Sequence, residues 1–199
     1  MNILNLGAGK LTPIVDDKII APWCMVHVDQ SYFYGDTPNV IEMRYETWKK
    51  ESDGNNIEMH CISDVFEFME RTTMIFDRVS MYRFLEHIPF DRVAYFIYLV
   101  STVTKSGGLV DVIVPNYKVL AEMIQNEYPY DKEFEASNIL LTTELLNEPG
   151  CPHASIWTPI RAFYYWQLEK RFEIHQTNMF ENFNFDGRDI YMRFLATRL

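Results

Sequence analysis

The chain opens on a short apolar run, Asn2 to Leu6, that stops abruptly in Gly7-Ala8-Gly9. Such a run reads as a buried strand, and glycine permits both a tight turn and close backbone approach. A strand that ends in a glycine turn and hands over to a helix is how α/β sheets form ligand pockets. A second apolar strand, Met25 to Asp29, closes on a carboxylate about twenty residues beyond the glycines, the spacing of a group that grips ribose hydroxyls. The same position also suits a turn or helix cap. The loop departs from the dinucleotide fingerprint, because Thr12 stands where a further glycine would seat a pyrophosphate. A ligand with adenosine and no pyrophosphate fits better.

The rest of the chain keeps the rhythm. Pro13 is placed to start a short helix ahead of Val15 to Ile20. Ser31 to Asn56 is polar and turn-rich, with a helix expected over Val40 to Lys49. In Ile57 to Ile62 the residues Ile57, Met59 and Cys61 alternate with Glu58 and His60, the period of a half-buried strand. Asp64 is placed to cap a helix over Val65 to Arg71. Phe76 to Ser80 reads as strand, and Pro89 opens a helix over Phe90 to Thr104 with Val93, Phe96, Ile97, Val100 and Val103 on one face. Ser106-Gly107-Gly108 ends it, and Leu109 to Val114 is a strand halted by Pro115-Asn116. Strands and helices alternating this way predict a largely parallel sheet.

Beyond Pro115 the rhythm breaks. Tyr117 to Pro152 reads as helical pieces with acidic and aromatic loops, an insertion over the sheet edge. Thr158-Pro159 starts a helix to about Lys170, in which Phe163 to Trp166 reads as core packing. Phe172 to Phe180 and Asp189 to Thr197 read as two strands joined by an Asn182–Gly187 turn.

With 199 residues, 48% hydrophobic and 15% aromatic, the chain suits one globular domain. No apolar run has the length of a membrane span, and no signal peptide is evident. Cys24, Cys61 and Cys151 form no paired spacing, which points to reduced thiols and a cytoplasmic setting. A net charge of −10 opposes binding to nucleic acid or anionic membranes.

Taken together, the segments resemble the class I S-adenosylmethionine-dependent methyltransferases, in particular small members linked to surface polysaccharide synthesis. The matching stretches are Ile3 to Gly9, Val28-Asp29, Ser63-Asp64, Phe76 to Val79, Leu85-Glu86-His87-Ile88, Ser106 to Asn116 and His153 to Trp157. The third glycine common in the family loop is replaced by Leu11, and Met81 stands where a polar residue is common. The resemblance implies a Rossmann-like, doubly wound α/β fold. Its seven-stranded sheet has six parallel strands and an antiparallel last strand inserted beside the fifth. It implies one domain over residues 1–199, with a lid at about 117–157. The chain starts at strand one, so acceptor recognition is expected to fall to Tyr32–Asn56 and Tyr117–Trp157.

For the site, the resemblance implies S-adenosylmethionine held by Gly7, Ala8 and Gly9 along the backbone, Asp29 on the ribose hydroxyls and Asp64 on the adenine amino group. Val65 would lie beside the ring, and Met81 and Tyr82 would wall the methionine end. Tyr82 reads equally as core. Glu86 and His87 could move a proton but read mainly as architecture. His153 is the better general base for a hydroxyl acceptor, since a neutral histidine suits that task; a contact at the following helix start is its alternative. Trp157 and Tyr117 are available to stack on a sugar or base. Cys151 and His153 lack the partners of a metal site.

The expectation is therefore a methyltransferase acting on a small-molecule or glycan-linked acceptor. Two alternatives stand beside it: a non-catalytic S-adenosylmethionine-binding partner protein and a nicotinamide-dependent oxidoreductase, the latter disfavoured by Thr12.

Overall fold

The computed structural model describes residues 1–7, 24–29, 45–46, 57–125, 154–175, 183–185 and 188–199. Expectations for 8–23, 30–44, 47–56, 126–153, 176–182 and 186–187, Ala8, Gly9, Cys151 and His153 among them, lie outside the described residues.

Five strands run parallel in the order β4 (Ile57–Ile62), β2 (Cys24–Asp29), β1 (Asn2–Leu6), β5 (Phe76–Tyr82) and β6 (Thr104–Pro115). The long last strand β9 (Arg188–Arg198) pairs antiparallel with β6, and β7 (Phe172–His175) pairs antiparallel with β9 on its other side. The expected topology therefore stands: six strands share one direction, and the chain's last strand is inserted antiparallel beside the fifth of them.

Two short strands extend the sheet beyond that expectation. Tyr45–Glu46 (β3) pairs antiparallel with β4, where a helix over Val40 to Lys49 was expected. An edge ladder overrides helix propensity there, which is weak beside the β-favouring Tyr45. Phe183–Phe185 (β8) pairs antiparallel with β9, a strand within the stretch expected as the Asn182–Gly187 turn. Its alternating aromatics are a strand signal that the surrounding Asn and Gly residues obscure.

The helices follow from their sequences. α1 (Val65–Arg71) begins at Asp64, whose Oδ1 accepts from the amides of Phe66 and Glu67 at 2.9 and 3.2 Å. α2 (Phe90–Val103) buries Val93, Phe96, Ile97, Val100 and Val103, the five residues of its apolar face. It ends at Val103, and the strand resumes at once. Thr104 pairs with Phe76, Leu109 with Arg78, and the intervening residues shift the register. Gly108 is needed in that bulge, since a Cβ would meet the Lys105 carbonyl oxygen at 2.7 Å. α3 (Tyr117–Gln125) starts at Asn116, which accepts from the Lys118 amide. α4 (Pro159–Leu168) starts at Thr158, whose hydroxyl accepts from the Arg161 amide.

Strand alternation divides the core in two. On one face Leu4, Leu6, Val26, Val28, Val79, Met81, Val110, Val112, Met192, Phe194 and Ala196 join the buried residues of α1, α2 and α4. On the other, Tyr82, Ile113, Ile190 and Tyr191 pack with Tyr117 and Leu120 of α3. Among the described residues no helix is long and apolar enough to cross a membrane.

Candidate functional site

The carboxyl ends of the parallel strands gather the residues of interest. β1 ends at Gly7, β2 at Asp29, β4 at Ser63-Asp64, β5 at Arg83-Phe84 and β6 at Asn116. The strand order reverses between β1 and β5, and in open α/β sheets ligands bind in the crevice at such a switch point.

Gly7 holds φ +66° and donates its amide to the Val28 carbonyl at 2.9 Å. Its missing Cβ has a use within the fold, because a side chain there would run into the Phe84 ring. The glycine thus serves the turn and the packing of Phe84, whatever its loop does for a ligand. Asp29 is partly exposed, and its carbonyl accepts from the Ser63 amide at 3.2 Å, tying the ends of β2 and β4 together. Asp64 combines the two readings its sequence allowed: it stands at the crevice, and Oδ1 caps α1. Val65 is 5% exposed and belongs to the core under α1.

Met81 and Tyr82 do not wall the crevice. Met81 is fully enclosed in the main core. Tyr82 is buried on the opposite face, its hydroxyl donating to Asp111 Oδ2 at 2.8 Å and accepting from Arg78 at 3.2 Å. The next residues, Arg83 and Phe84, are the ones that reach the strand ends, because β5 continues two residues past the expected Ser80.

Asp111 is the centre of a buried charged network that sequence reasoning missed. It accepts from Arg78, from Tyr82 and, through both oxygens, from Arg193 at 2.8 and 2.7 Å. Ser80, in register with Asp111, accepts from Arg78 at 3.2 Å. The row continues through Asn5 to His27, where Asn5 Nδ2 and His27 Nδ1 lie 3.1 Å apart. The available signal was a lone Asp111 inside the apolar run Leu109 to Val114, since a buried charge requires partners.

A second arrangement joins two motifs that are 65 residues or more apart in the chain. The Leu85–His87 turn of 3₁₀ helix receives the segment before α4: the Glu86 carbonyl accepts from the amides of Ala154 and Ser155 at 2.8 and 2.9 Å. The Leu85 carbonyl accepts from Ser155 Oγ and from Trp157 Nε1, and Trp157 Nε1 also donates to Ser155 Oγ at 2.8 Å. The Trp157 carbonyl in turn accepts from the Tyr117 amide at 3.0 Å. Trp157 and Tyr117 are consequently buried and unavailable for stacking on a ligand. Both described ends of the expected lid are anchored to the body of the fold.

Burial, with the Asp111 charge, pushes the Tyr82 phenol up to about 12. Burial, with the charge of nearby Glu86, holds the Tyr117 phenol well above its ordinary value. Neither tyrosine can act as a phenolate base near neutrality. Among the described residues no group of three or more His, Cys, Asp and Glu is arranged to hold a metal ion.

No family model and no curated protein sequence matches the chain. Solved structures do. A SAM-dependent methyltransferase from Methanosarcina mazei superposes with a TM-score of 0.58 at 15% identity, over 100% of this chain and 92% of that one. The plantazolicin methyltransferase BpumL, in complex with a monoazolic desmethylPZN analog and SAH, gives 0.56 at 11% identity, over 99% and 75%. The cyclopropane synthase MmaA2 from Mycobacterium tuberculosis gives 0.51 at 13% identity over 90% of this chain, which spans only 57% of that enzyme. At these identities the likeness is one of fold. The chain has the fold of the class I S-adenosylmethionine-dependent methyltransferases, down to the antiparallel last strand between β6 and β7.

Proposed function

We propose that this protein is an S-adenosylmethionine-dependent methyltransferase acting on a small-molecule or glycan-linked acceptor. The observation that carries the reading is the pairing of a left-handed glycine at the end of the central strand with carboxylates at the ends of β2 and β4, in this strand order. The residues fit an adenosine-bearing cofactor. In this reading Asp29 is the acceptor for ribose hydroxyls and Asp64 for an amino group, and Gly7, Ala8 and Gly9 are the residues whose backbone would serve the methionine and ribose part.

S-adenosylmethionine supplies a methyl group already activated on a sulfonium. What the chain contributes is placement, and alignment of reacting groups is worth much of a transfer barrier. His153 is proposed as the base that takes the proton of a hydroxyl acceptor. Its support is chemical and positional: Tyr82 and Tyr117 stay protonated, and His153 directly precedes Ala154, whose amide is bonded to Glu86. Glu86 and His87 keep an architectural role, since the Leu85–His87 turn is the anchor for residues 154–157. A cytoplasmic setting is proposed from the scattered spacing of the cysteines, of which burial pushes the Cys24 and Cys61 thiols up.

Calorimetry with SAH tests the site. Asp29→Ala should cost about 1.5–3 kcal/mol of binding, the range for a hydrogen bond to a charged group. Unchanged affinity would remove Asp29 from the ribose. Firm binding of SAH, with no methyl transfer from S-adenosylmethionine to any glycan, nucleotide or small-acid acceptor, would turn the protein into a cofactor-holding partner subunit.

A further inference from the structure

Among the described residues nine large hydrophobic side chains are exposed, and six of them gather on α2 and α4. Ile160, Tyr164 and Leu168 recur at four-residue spacing along α4, so they form one ridge of that helix. Ile156 continues the ridge ahead of the helix, where its carbonyl accepts from Arg161 at 2.9 Å. Tyr95 and Tyr98 lie stacked on neighbouring α2, ring centroids 6.1 Å apart. The two helices are joined by Phe90 stacked on Tyr165 and by Arg171, whose guanidinium lies 4.7 Å over Tyr98. Tyr164, read from the sequence as core packing, thus faces solvent while Trp166 is buried.

The six residues are between 38% and 75% exposed. On side chains of about 150–200 Å² each, they leave roughly 500–600 Å² of apolar surface open, the upper end of what a monomer exposes in one patch. A standard interface covers about 800 Å² on each partner, of which about 65% is apolar in homodimers. The apolar requirement, roughly 500 Å² per copy, is met by this patch.

The surrounding charge suits a second copy. Arg161, Lys170 and Arg171 stand in and beside α4 against Glu169 and Glu173, so this face is nearly neutral on a chain of net charge −10. Two copies repel each other least through it. The ridge also complements itself. Ridges of four-residue spacing interdigitate when two helices cross at about 50°, and a two-fold axis presents the same patch from both copies.

We infer that this face is the interface of a homodimer, with the two Tyr164 side chains meeting near its two-fold axis. The dimer is independent of the cofactor reading. It nevertheless bears on the site, because Ile156 lies between Ser155 and Trp157, both bonded to the Leu85 carbonyl. The partner copy therefore packs against the segment clamped to the end of β5.

Sedimentation equilibrium of the unaltered protein at about 10 µM should give a mass approaching twice 23.6 kDa, because interfaces of standard size have Kd values of about 1 µM or tighter. Tyr164→Glu and Tyr164→Lys should each sediment as monomers with the far-UV circular dichroism of the unaltered protein. An equimolar mixture of the two should recover the dimer, because opposite charges then face each other across the axis. Loss of fold could not be rescued in this way. A monomeric unaltered protein would leave the face to a different protein and overturn the inference. A dimer in either single variant, or no recovery on mixing, would overturn it as well.

Discussion

Tyr82 shows how a residue expected at the ligand can serve the site from behind it. Its hydroxyl is one of the donors on Asp111, and burial raises its phenol to about 12. A raised folded-state value means the folded protein keeps a proton that the unfolded chain releases above its ordinary value near 10. Tyr82's contribution to stability is therefore whole below pH 10 and falls as pH rises toward 12, by about 2–3 kcal/mol over the two units. Urea unfolding between pH 9 and pH 12 should show this decline, and Tyr82→Phe should flatten it. Trp166 is a different case. Its ring is fully buried against Phe172 and Phe194, and its Nε1 has no hydrogen-bond partner among the described residues. Leaving a donor unmade in a core costs about 1–3 kcal/mol, so Trp166→Phe should change stability by less than about 1 kcal/mol despite the lost area. A loss of 3 kcal/mol or more would mean that the indole nitrogen is satisfied.

At the scale of elements, the clamp between Leu85–His87 and residues 154–157 holds the segment before α4 against the end of β5. Ser155 is 1% exposed and bonds through both its amide and its hydroxyl. Ser155→Ala should cost about 1 kcal/mol and should speed amide exchange at residues 154–157 while leaving β1, β5 and β6 protected. Uniform acceleration across the sheet would show that the clamp is not a separable unit.

The elements themselves were largely legible in the sequence, since α1, α2, α4, β1, β2 and β6 carry their caps, periodicity and breakers within a few residues. Asp64, Thr158 and Pro89 announce helix starts because capping is local chemistry. β3 and β8 were not legible, because a short strand forms only where a partner offers a free edge. For the site, Asp29 could be read from spacing and Asp64 from its place before a helix, while their ligand roles come from the resemblance. The burial of Met81, Trp157 and Tyr117 could not, because it follows from which turn packs on which strand.

Across the whole molecule, the Asp111 network joins β5, β6 and β9, the strands whose mixed directions define this fold. Parallel and antiparallel pairing meet at β6, and a register slip of one residue would turn Arg78, Asp111 and Arg193 into the apolar core. Removing one partner of a buried charged set leaves the others uncompensated. Asp111→Asn should therefore lower stability by about 3–5 kcal/mol in denaturant unfolding. A loss below 1 kcal/mol would show that the apolar faces alone fix the sheet.

The reading of the molecule as a methyltransferase depends most on what occupies the crevice at the ends of β1, β2 and β5. Titrating the unaltered protein separately with SAH and with NAD measures this directly. Thr12 stands where a glycine would seat a pyrophosphate, and Asp29 and Asp64 are the acceptors proposed for adenosine. One SAH should bind per chain with measurable heat, and NAD should give none at the same concentration. Binding of NAD in preference to SAH, or no heat from SAH, would contradict the assignment.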